Sequence, residues 1–218
     1  MANDLQQRLA QLDSCVVSDA LDKLGFSGVA PGVTRLSTDK KLTGRVLTVK
    51  LETANGRMAE RHLCTAAIEA ATPGDIIVVE HHSRADCAGW GGLLSRAALV
   101  KKVQGVIVDG LCRDLDEGRD LGFPIFARGV IPSTARGRII ETDFNGPVIV
   151  GEVTVRPGDW VIADGSGVVF ISAANVEAVL DQAEKLVARE ATLLKEIEAG
   201  VPVSKVMSRT YEHMTQKE

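Results

Sequence analysis

Hydrophobic positions in the first half of the chain follow two different periods. Residues 45–52 alternate apolar and polar side chains, which predicts a strand, and the apolar runs 76–80 and 105–109 predict buried strands. The remaining predicted elements are a strand at 124–127 and helices at 4–12, 15–24, 59–71, 93–103 and 114–121. Strands that alternate with helices in this way are typical of an α/β fold.

The second half has shorter strands and closer turns. The predicted strands are 148–155, 159–163 and 168–171. Turns this close together predict hairpins rather than strand–helix–strand units. A long helix is expected over 173–199, capped by Ser172, because its apolar residues form one stripe. We expect one domain over 1–218, with 1–13 and 200–218 as peripheral termini.

Composition and charge exclude several classes of protein. The 218 residues are 45% hydrophobic and carry a net charge of −4, so a general nucleic-acid binder, which needs a basic surface, is not expected. No apolar stretch reaches the roughly 20 residues of a membrane span, and the N-terminus lacks a secretory signal pattern. The four cysteines are scattered, without a CxxC pair. We expect a cytoplasmic protein with reduced thiols and no membrane partner.

Candidate chemistry first appears in the glycine-rich segment 87–94, CAGWGGLL, between a predicted strand and a predicted helix. The backbone amides of Gly91, Gly92, Leu93 and Leu94 lie at or near the start of that helix. A helix N-terminus binds anions through unpaired amides and the positive end of its dipole. The alternative is a tight strand-to-helix turn without a ligand. Leu93, Leu94 and Val100 are expected to face the core.

A second segment, DGLCRD at 109–114, also joins a strand to a helix. If the two preceding strands are neighbours, both segments face one crevice at the carboxyl ends of the strands. Arg113 can then bind a carboxylate through two parallel hydrogen bonds, and Asp114 can bind Mg²⁺ or Mn²⁺. The alternative is a surface pair in which Asp114 caps the helix. Together the segments describe a pocket for a 2-oxo acid.

Two further places have a structural interpretation that we favour. His81 and His82 can ligate a metal, but no third ligand stands at a recognisable spacing, so we expect packing roles. The segment DGSGV at 164–168 is typical of a hairpin turn.

The chain is similar to the RraA-like family in five ordered segments. They are VSDALDKLG at 17–25, PGD at 73–75, GGLL at 91–94, GLCRDLDEGRDLGFPIFARG at 110–129 and DGSGVVFI at 164–171. The family joins regulators of ribonuclease E to class II pyruvate aldolases that act on 4-hydroxy-4-methyl-2-oxoglutarate and 4-carboxy-4-hydroxy-2-oxoadipate. The resemblance implies a swivelling β/β/α fold and a homotrimer, sometimes paired into a hexamer, with an active site between subunits.

The aldolases of this family carry a D-x20-R-D motif. By resemblance, Arg113 holds the pyruvate carboxylate, Asp114 holds the divalent metal, and the amides of 91–94 bind the carboxylate and oxo group. Twenty residues, 93–112, precede Arg113, so the first Asp of the motif falls at Gly92. One acid/base group is therefore missing, and a carboxylate from a neighbouring subunit's long helix can replace it.

The expected function is a divalent-metal-dependent lyase that acts on a 2-oxo acid through a pyruvate enolate. Oxaloacetate decarboxylation needs no base for a hydroxyl proton, whereas aldol cleavage does, so loss of a carboxylate at Gly92 should harm aldol cleavage more. One alternative is a non-catalytic regulator that binds a ribonuclease. Another is a different reaction in the same pocket, using the polar loop 81–86.

Overall fold

A computed structural model describes residues 2–207 of the chain. Its strands are β1 Thr34–Arg35, β2 Leu42–Thr53, β3 Ile76–Glu80, β4 Gly105–Cys112, β5 Ile125–Val130, β6 Ile139–Phe144, β7 Val148–Val150, β8 Val153–Val155, β9 Trp160–Ala163 and β10 Val168–Ile171. Its helices are α1 Ala2–Ala10, α2 Ser14–Leu24, α3 Thr65–Ala70, α4 Gly92–Val100, α5 Leu115–Asp120, α6 Val176–Glu198 and α7 Val203–Val206.

One mixed sheet organises the molecule, in the order β1-β5-β4-β3-β2-β9-β10, with β6 also paired to β2. The central strands β2, β3, β4 and β5 are parallel, and the outer pairings are antiparallel. The long β2 pairs with β9 near its start and with β6 near its end. The expected α/β architecture with a long C-terminal helix is confirmed.

The central strands β3 and β4 are largely apolar because both faces of the sheet are covered. In β3, Ile77 and Val79 pack into a cluster with Trp90 and Phe123, whose rings stack with centroids 6.1 Å apart. The alternate residues, Ile76 and Val78, belong to a cluster on the other face. A third cluster lies beneath α1, α2 and α6. The apolar run of β3, which predicted a buried strand, thus contributes side chains to two hydrophobic clusters, one on each face of the sheet.

The helix expected at 59–71 was wrong over its first half. Only Thr65–Ala70 is helical, and the chain before it follows turns, with Arg57 Nε donating to the carbonyl of Ala54 at 3.2 Å. Cys64, just before the helix, has a left-handed backbone with a φ of 63°. Residues 55–62 are exposed. The alanines in this segment suggested a helix, but no apolar stripe anchors residues 59–62 to the core.

Three other predictions near helices and turns need correction. The strand expected at 148–155 is a hairpin, because Gly151 turns the chain with a φ of 62°. Ser172 does not cap α6; its Oγ accepts a bond from the Ala174 amide at 3.4 Å, in the turn before the helix. Leu93 and Val100 are 80% and 82% exposed instead of facing the core. The strand β6 was missed.

The N-terminal segment also differs from expectation. The segment 1–13, expected to be peripheral, contributes Leu9 and Leu12 to the core beneath α6. Arg8 fixes α1 to that helix through Asp181 at 2.6 Å and Glu184 at 2.7 Å. Part of the segment 200–218 forms α7, and residues 208–218 lie outside the described part of the chain.

Candidate active site

Two adjacent parallel strands bring the predicted segments together. β3 and β4 are paired in register, Val79 opposite Val108, so the segments that follow them leave the same edge of the sheet. Two backbone bonds join the segments: the Gly89 amide donates to Leu111 O at 2.8 Å, and the Arg113 amide donates to Trp90 O at 3.0 Å. The neighbouring strands that the prediction required are therefore present.

Asp114 contacts the first helical turn of α4 instead of capping α5. Its Oδ2 accepts a bond from the Gly92 amide at 2.9 Å and lies 3.5 Å from Arg113 Nε. Asp114 precedes α5 with a left-handed backbone, φ 57°, and makes no side-chain cap bond to that helix. Of the surface-pair alternative, the ion pair with Arg113 and the N-cap position of Asp114 are present, and the side-chain cap bond is not. This residue instead presents a half-exposed carboxylate beside the guanidinium.

A cleft of about 340 Å³ opens at this junction. Its near wall contains every predicted site residue, namely Gly91, Gly92, Leu93, Leu94, Arg113 and Asp114. Its far wall comes from the loop at 57–63 and from the segments 134–137 and 139–141. The amides of Leu93 and Leu94 belong to the first turn of α4, where backbone donors have no acceptor within the helix. The near wall thus combines amide donors, a guanidinium and a carboxylate.

The glycines of the first segment make room for protein side chains. A Cβ on Gly91 would lie 2.9 Å from Asp114 Oδ2 and 3.2 Å from Arg113 Nε. The φ of Gly92 is not positive, so its backbone conformation does not itself require glycine. A Cβ on Gly92 would lie 2.5 Å from Glu117 Cδ, so a side chain there has to displace the flexible end of Glu117.

Glu117, which borders Gly92 but is not among the residues that line the cleft, is the candidate that the sequence analysis missed. It belongs to α5, one turn after Asp114, and its carboxylate fills the volume that a side chain at position 92 would take. Arg96, one turn along α4 from Gly92, forms an ion pair with Glu117 and holds it there. In the sequence, Glu117 is recognisable only as an acidic residue three positions after Asp114. An exposed helix with surface charges has the same pattern, so this spacing did not identify it.

The far wall of the cleft contains a buried carboxyl group. Glu141 is 3% exposed at its side chain, and its Oε2 accepts a bond from the Cys64 amide at 2.6 Å. Within the described residues, its Oε1 has no hydrogen-bond partner, and the closest cation is Arg61, whose Nε is 3.6 Å away. Burial raises the pKa of the Glu141 carboxyl above its usual range.

The histidine pair at 81–82 is divided between packing and the surface. His81 is fully buried, with its Nε2 3.8 Å from Cys87 Sγ, and burial lowers its pKa to about 4. Its ring fills the space in which Gly110 would carry a Cβ. His82 Nδ1 lies 3.3 Å from Glu80. Within 2–207 no group of three or more His, Cys, Asp or Glu side chains could hold a metal ion.

Other predicted features have structural roles away from the cleft. Asp164 lies in the turn between β9 and β10, where it accepts bonds from the Ser14 amide at 2.8 Å and the Ser14 hydroxyl at 2.7 Å. All four cysteines are free thiols. Within the described residues, no helix is long and apolar enough to cross a membrane.

The half-exposed carboxylate of Asp114 fits a divalent cation such as Mg²⁺ or Mn²⁺. Mg²⁺ in proteins takes one or two carboxylates and completes its shell with water. The Glu117 carboxylate, which also borders Gly92, is paired with Arg96 instead. Within the described residues no group of three or more His, Cys, Asp or Glu side chains could hold a metal ion, and that chemistry does not require one.

Comparison with known proteins identifies the relationship behind this arrangement. The family model described as RraA-like, Aldolase/RraA, matches residues 14–170. The chain belongs to the RraA-like family. A relative from Halalkalibacterium halodurans, named "Putative 4-hydroxy-4-methyl-2-oxoglutarate aldolase", is 29% identical over 84% of this chain and 83% of its own length. Protein DlpA of Legionella pneumophila is 28% identical over 82% of this chain, which spans only 29% of that longer protein.

Solved structures agree with this membership of the RraA-like family. An uncharacterized protein from Pseudomonas syringae superposes with a TM-score of 0.86 at 26% identity, over 95% of this chain and 98% of that one. RraAS2 of Streptomyces coelicolor, described as an unusual member of the RNase ES inhibitor RraA family, gives a TM-score of 0.81 at 28% identity, over 87% and 96%. The expected RraA-type fold is confirmed.

Proposed function

We propose that this RraA-like protein is a divalent-metal-dependent lyase that acts on a small 2-oxo acid through a pyruvate enolate. The observation that carries the proposal is the convergence of Arg113, Asp114 and the first amides of α4 on one cleft. Such a site has a clamp for the carboxylate, donors for the oxo group and a place for a cation. The names of its aldolase relatives point to the same class.

Substrate binding is assigned to the near wall. The planar guanidinium of Arg113 binds the carboxylate next to the oxo group, and the amides of Leu93 and Leu94 donate to the same end of the substrate. Asp114 would hold Mg²⁺ or Mn²⁺, with water completing the shell of the cation. When bound, such a cation supplies stabilisation of the negative charge that develops on the oxo oxygen as the enolate forms.

Glu117 supplies the acid/base group that Gly92 lacks. Aldol cleavage requires a base that removes the proton of the substrate hydroxyl, and the pyruvate enolate then needs a proton. The Glu117 carboxylate occupies the volume next to Gly92, and Arg96 fixes its position. Decarboxylation of oxaloacetate gives the same enolate by loss of CO₂ and has no hydroxyl to deprotonate. Both reactions therefore fit the site, and Glu117 matters more to aldol cleavage.

The active form is proposed to be a homotrimer or a hexamer in the cytoplasm. On α4, Leu93, Ala97 and Val100 leave an exposed apolar face directly beside the cleft. Exposed apolar patches next to a site are typical of interaction surfaces. A second copy that covers this face would enclose the cleft, and light scattering at micromolar concentration would measure the assembly.

The proposal is tested by steady-state turnover of oxaloacetate and 4-hydroxy-4-methyl-2-oxoglutarate, with Mg²⁺, with Mn²⁺ and after chelation. Metal-dependent release of pyruvate from either substrate is the expected result. No turnover of either substrate by the metal-loaded protein would overturn the proposal. The candidate that then remains is a ribonuclease regulator, favoured by the likeness to RraAS2. Such a regulator needs neither Asp114 nor a metal.

A further inference from the structure

The far wall of the cleft is positively charged and is not needed by the chemistry assigned to the near wall. Arg57, Arg61 and Arg136 all line it, and its one acidic residue is Glu141. Arg57 is committed to its own loop, since its guanidinium donates to the carbonyls of residues 53 and 54. The other two arginines are exposed, and no side-chain hydrogen bond of either one is seen to a residue within 2–207.

Glu141 and Arg61 form an incomplete pair. The 3.6 Å between Arg61 Nε and Glu141 Oε1 is too long for a hydrogen bond, although the charges attract. Glu141 cannot move far, because its other oxygen is fixed by the Cys64 amide and its side chain is buried. Arg61 approaches this fixed carboxyl through Nε, which leaves its two terminal nitrogens available to a ligand.

We propose that Arg61, positioned by Glu141, binds the distal carboxylate of a dicarboxylic 2-oxo acid, with Arg136 as a second cation on the same wall. This inference rests on the proposed function, which places the 2-oxo end of the substrate at Arg113. Arg113 and Arg61 both line this cleft, so a substrate with two carboxylates can pair with both, and a substrate with only one anion leaves Arg61 without a partner. Arg61 is a specificity-determining residue, and Glu141 is a positioning residue.

The test is calorimetric binding of three unreactive ligands to the Mg²⁺-loaded protein. Pyruvate has no distal group, 2-oxopentanoate has an uncharged chain, and 2-oxoglutarate has the same carbon chain length with a distal carboxylate. We expect wild type to prefer 2-oxoglutarate over 2-oxopentanoate by about tenfold, the size of one charge-assisted hydrogen bond. Arg61→Gln should reduce that preference to within about twofold and leave pyruvate affinity unchanged.

Two variants separate positioning from general effects. Glu141→Gln keeps an acceptor for the Cys64 amide but removes the charge that attracts Arg61. If Glu141 positions Arg61, 2-oxoglutarate affinity falls; if it only repels the ligand, the affinity rises, and the positioning role is overturned. Arg119→Gln is the matched control, because Arg119 is an exposed arginine that pairs with Asp116 and does not line the cleft.

The outcomes distinguish this inference from the proposed function. Pyruvate binding with an unchanged 2-oxoglutarate preference in Arg61→Gln overturns the distal subsite and leaves the lyase proposal standing. Failure of all three ligands to bind the metal-loaded wild type overturns both. A preference of less than twofold in wild type also overturns the subsite, because Arg61 would then contribute nothing to recognition.

Discussion

The contact between Gly92 and Glu117 gives the sharpest prediction about catalysis. A Cβ at position 92 would lie 2.5 Å from Glu117 Cδ, so any side chain there must displace the carboxylate. The displaced atoms are the end of a flexible side chain, and the φ of Gly92 suits any residue. Gly92→Ala should therefore fold normally while moving Glu117 away from α4 and weakening its pair with Arg96.

The expected size of the effect follows from the chemistry of the lost group. Glu117→Gln keeps the shape of the side chain and a possible bond to Arg96, but a neutral amide cannot accept the proton. Because a positioned acid/base group contributes about 10²–10⁴-fold, we expect kcat for aldol cleavage to fall at least about 100-fold. Oxaloacetate decarboxylation should fall by less than about tenfold, because no hydroxyl proton is removed.

A further pair of variants moves the carboxylate from α5 to α4. Gly92→Asp in a Glu117→Ala background removes the clash and puts an acid at position 92, so aldol kcat should recover to within about tenfold of wild type. Gly92→Asp alone crowds two carboxylates and should stay impaired. Asp116→Asn is the control, because Asp116 is exposed on the same helix and pairs with Arg119 at 2.9 Å.

The test measures kcat for aldol cleavage and kcat for oxaloacetate decarboxylation, for each variant, with Mg²⁺ at saturating substrate. Equal losses in the two reactions for Glu117→Gln would show that this carboxylate has no acid/base role. A double variant no better than Glu117→Ala would show that position 92 is not equivalent to position 117. Thermal melting of every variant separates these results from misfolding.

Three further predictions concern the other groups of the site and the core. Asp114→Asn should abolish metal-dependent turnover, and titration of Mg²⁺ or Mn²⁺ should show weaker binding; turnover that survives would contradict the metal assignment. Arg113→Lys keeps the charge but loses the planar fork, so kcat/KM should fall at least about tenfold, and an unchanged value would remove Arg113 from the site. Burial lowers the pKa of His81 from 6.5 to about 4. Between pH 6.5 and pH 4 the His81 side chain is therefore protonated in the unfolded chain and largely neutral in the folded one. This difference should lower the free energy of unfolding by about 3 kcal/mol over that range. His81→Gln should flatten that dependence in urea titrations.

The parallel core was predictable because its physical cause is local. Both faces of β3 and β4 are covered, so each contains an apolar run, IIVV in β3 and VIV in β4. The positions of Arg113 and Asp114 followed from that, since they stand directly after a strand whose neighbour was also identified. The loop at 54–64 was not predictable, because its course depends on Arg57 bonding its own backbone and on Glu141 accepting the Cys64 amide. Those contacts join residues that are distant in the chain or have no periodic pattern.

The missing carboxylate shows why spacing alone misjudges this site. Counting back from Arg113 puts the motif position on α4, and glycine there means that no acid comes from that helix. The packing of the helices, however, determines which side chains are neighbours in space. Here α5 packs against α4 through Asp114 and Glu117. A glycine on one helix and a glutamate on the other are complementary, because the first supplies the volume that the second fills. An acid at position 92 would have to displace the flexible end of Glu117, so the two arrangements compete for the same volume.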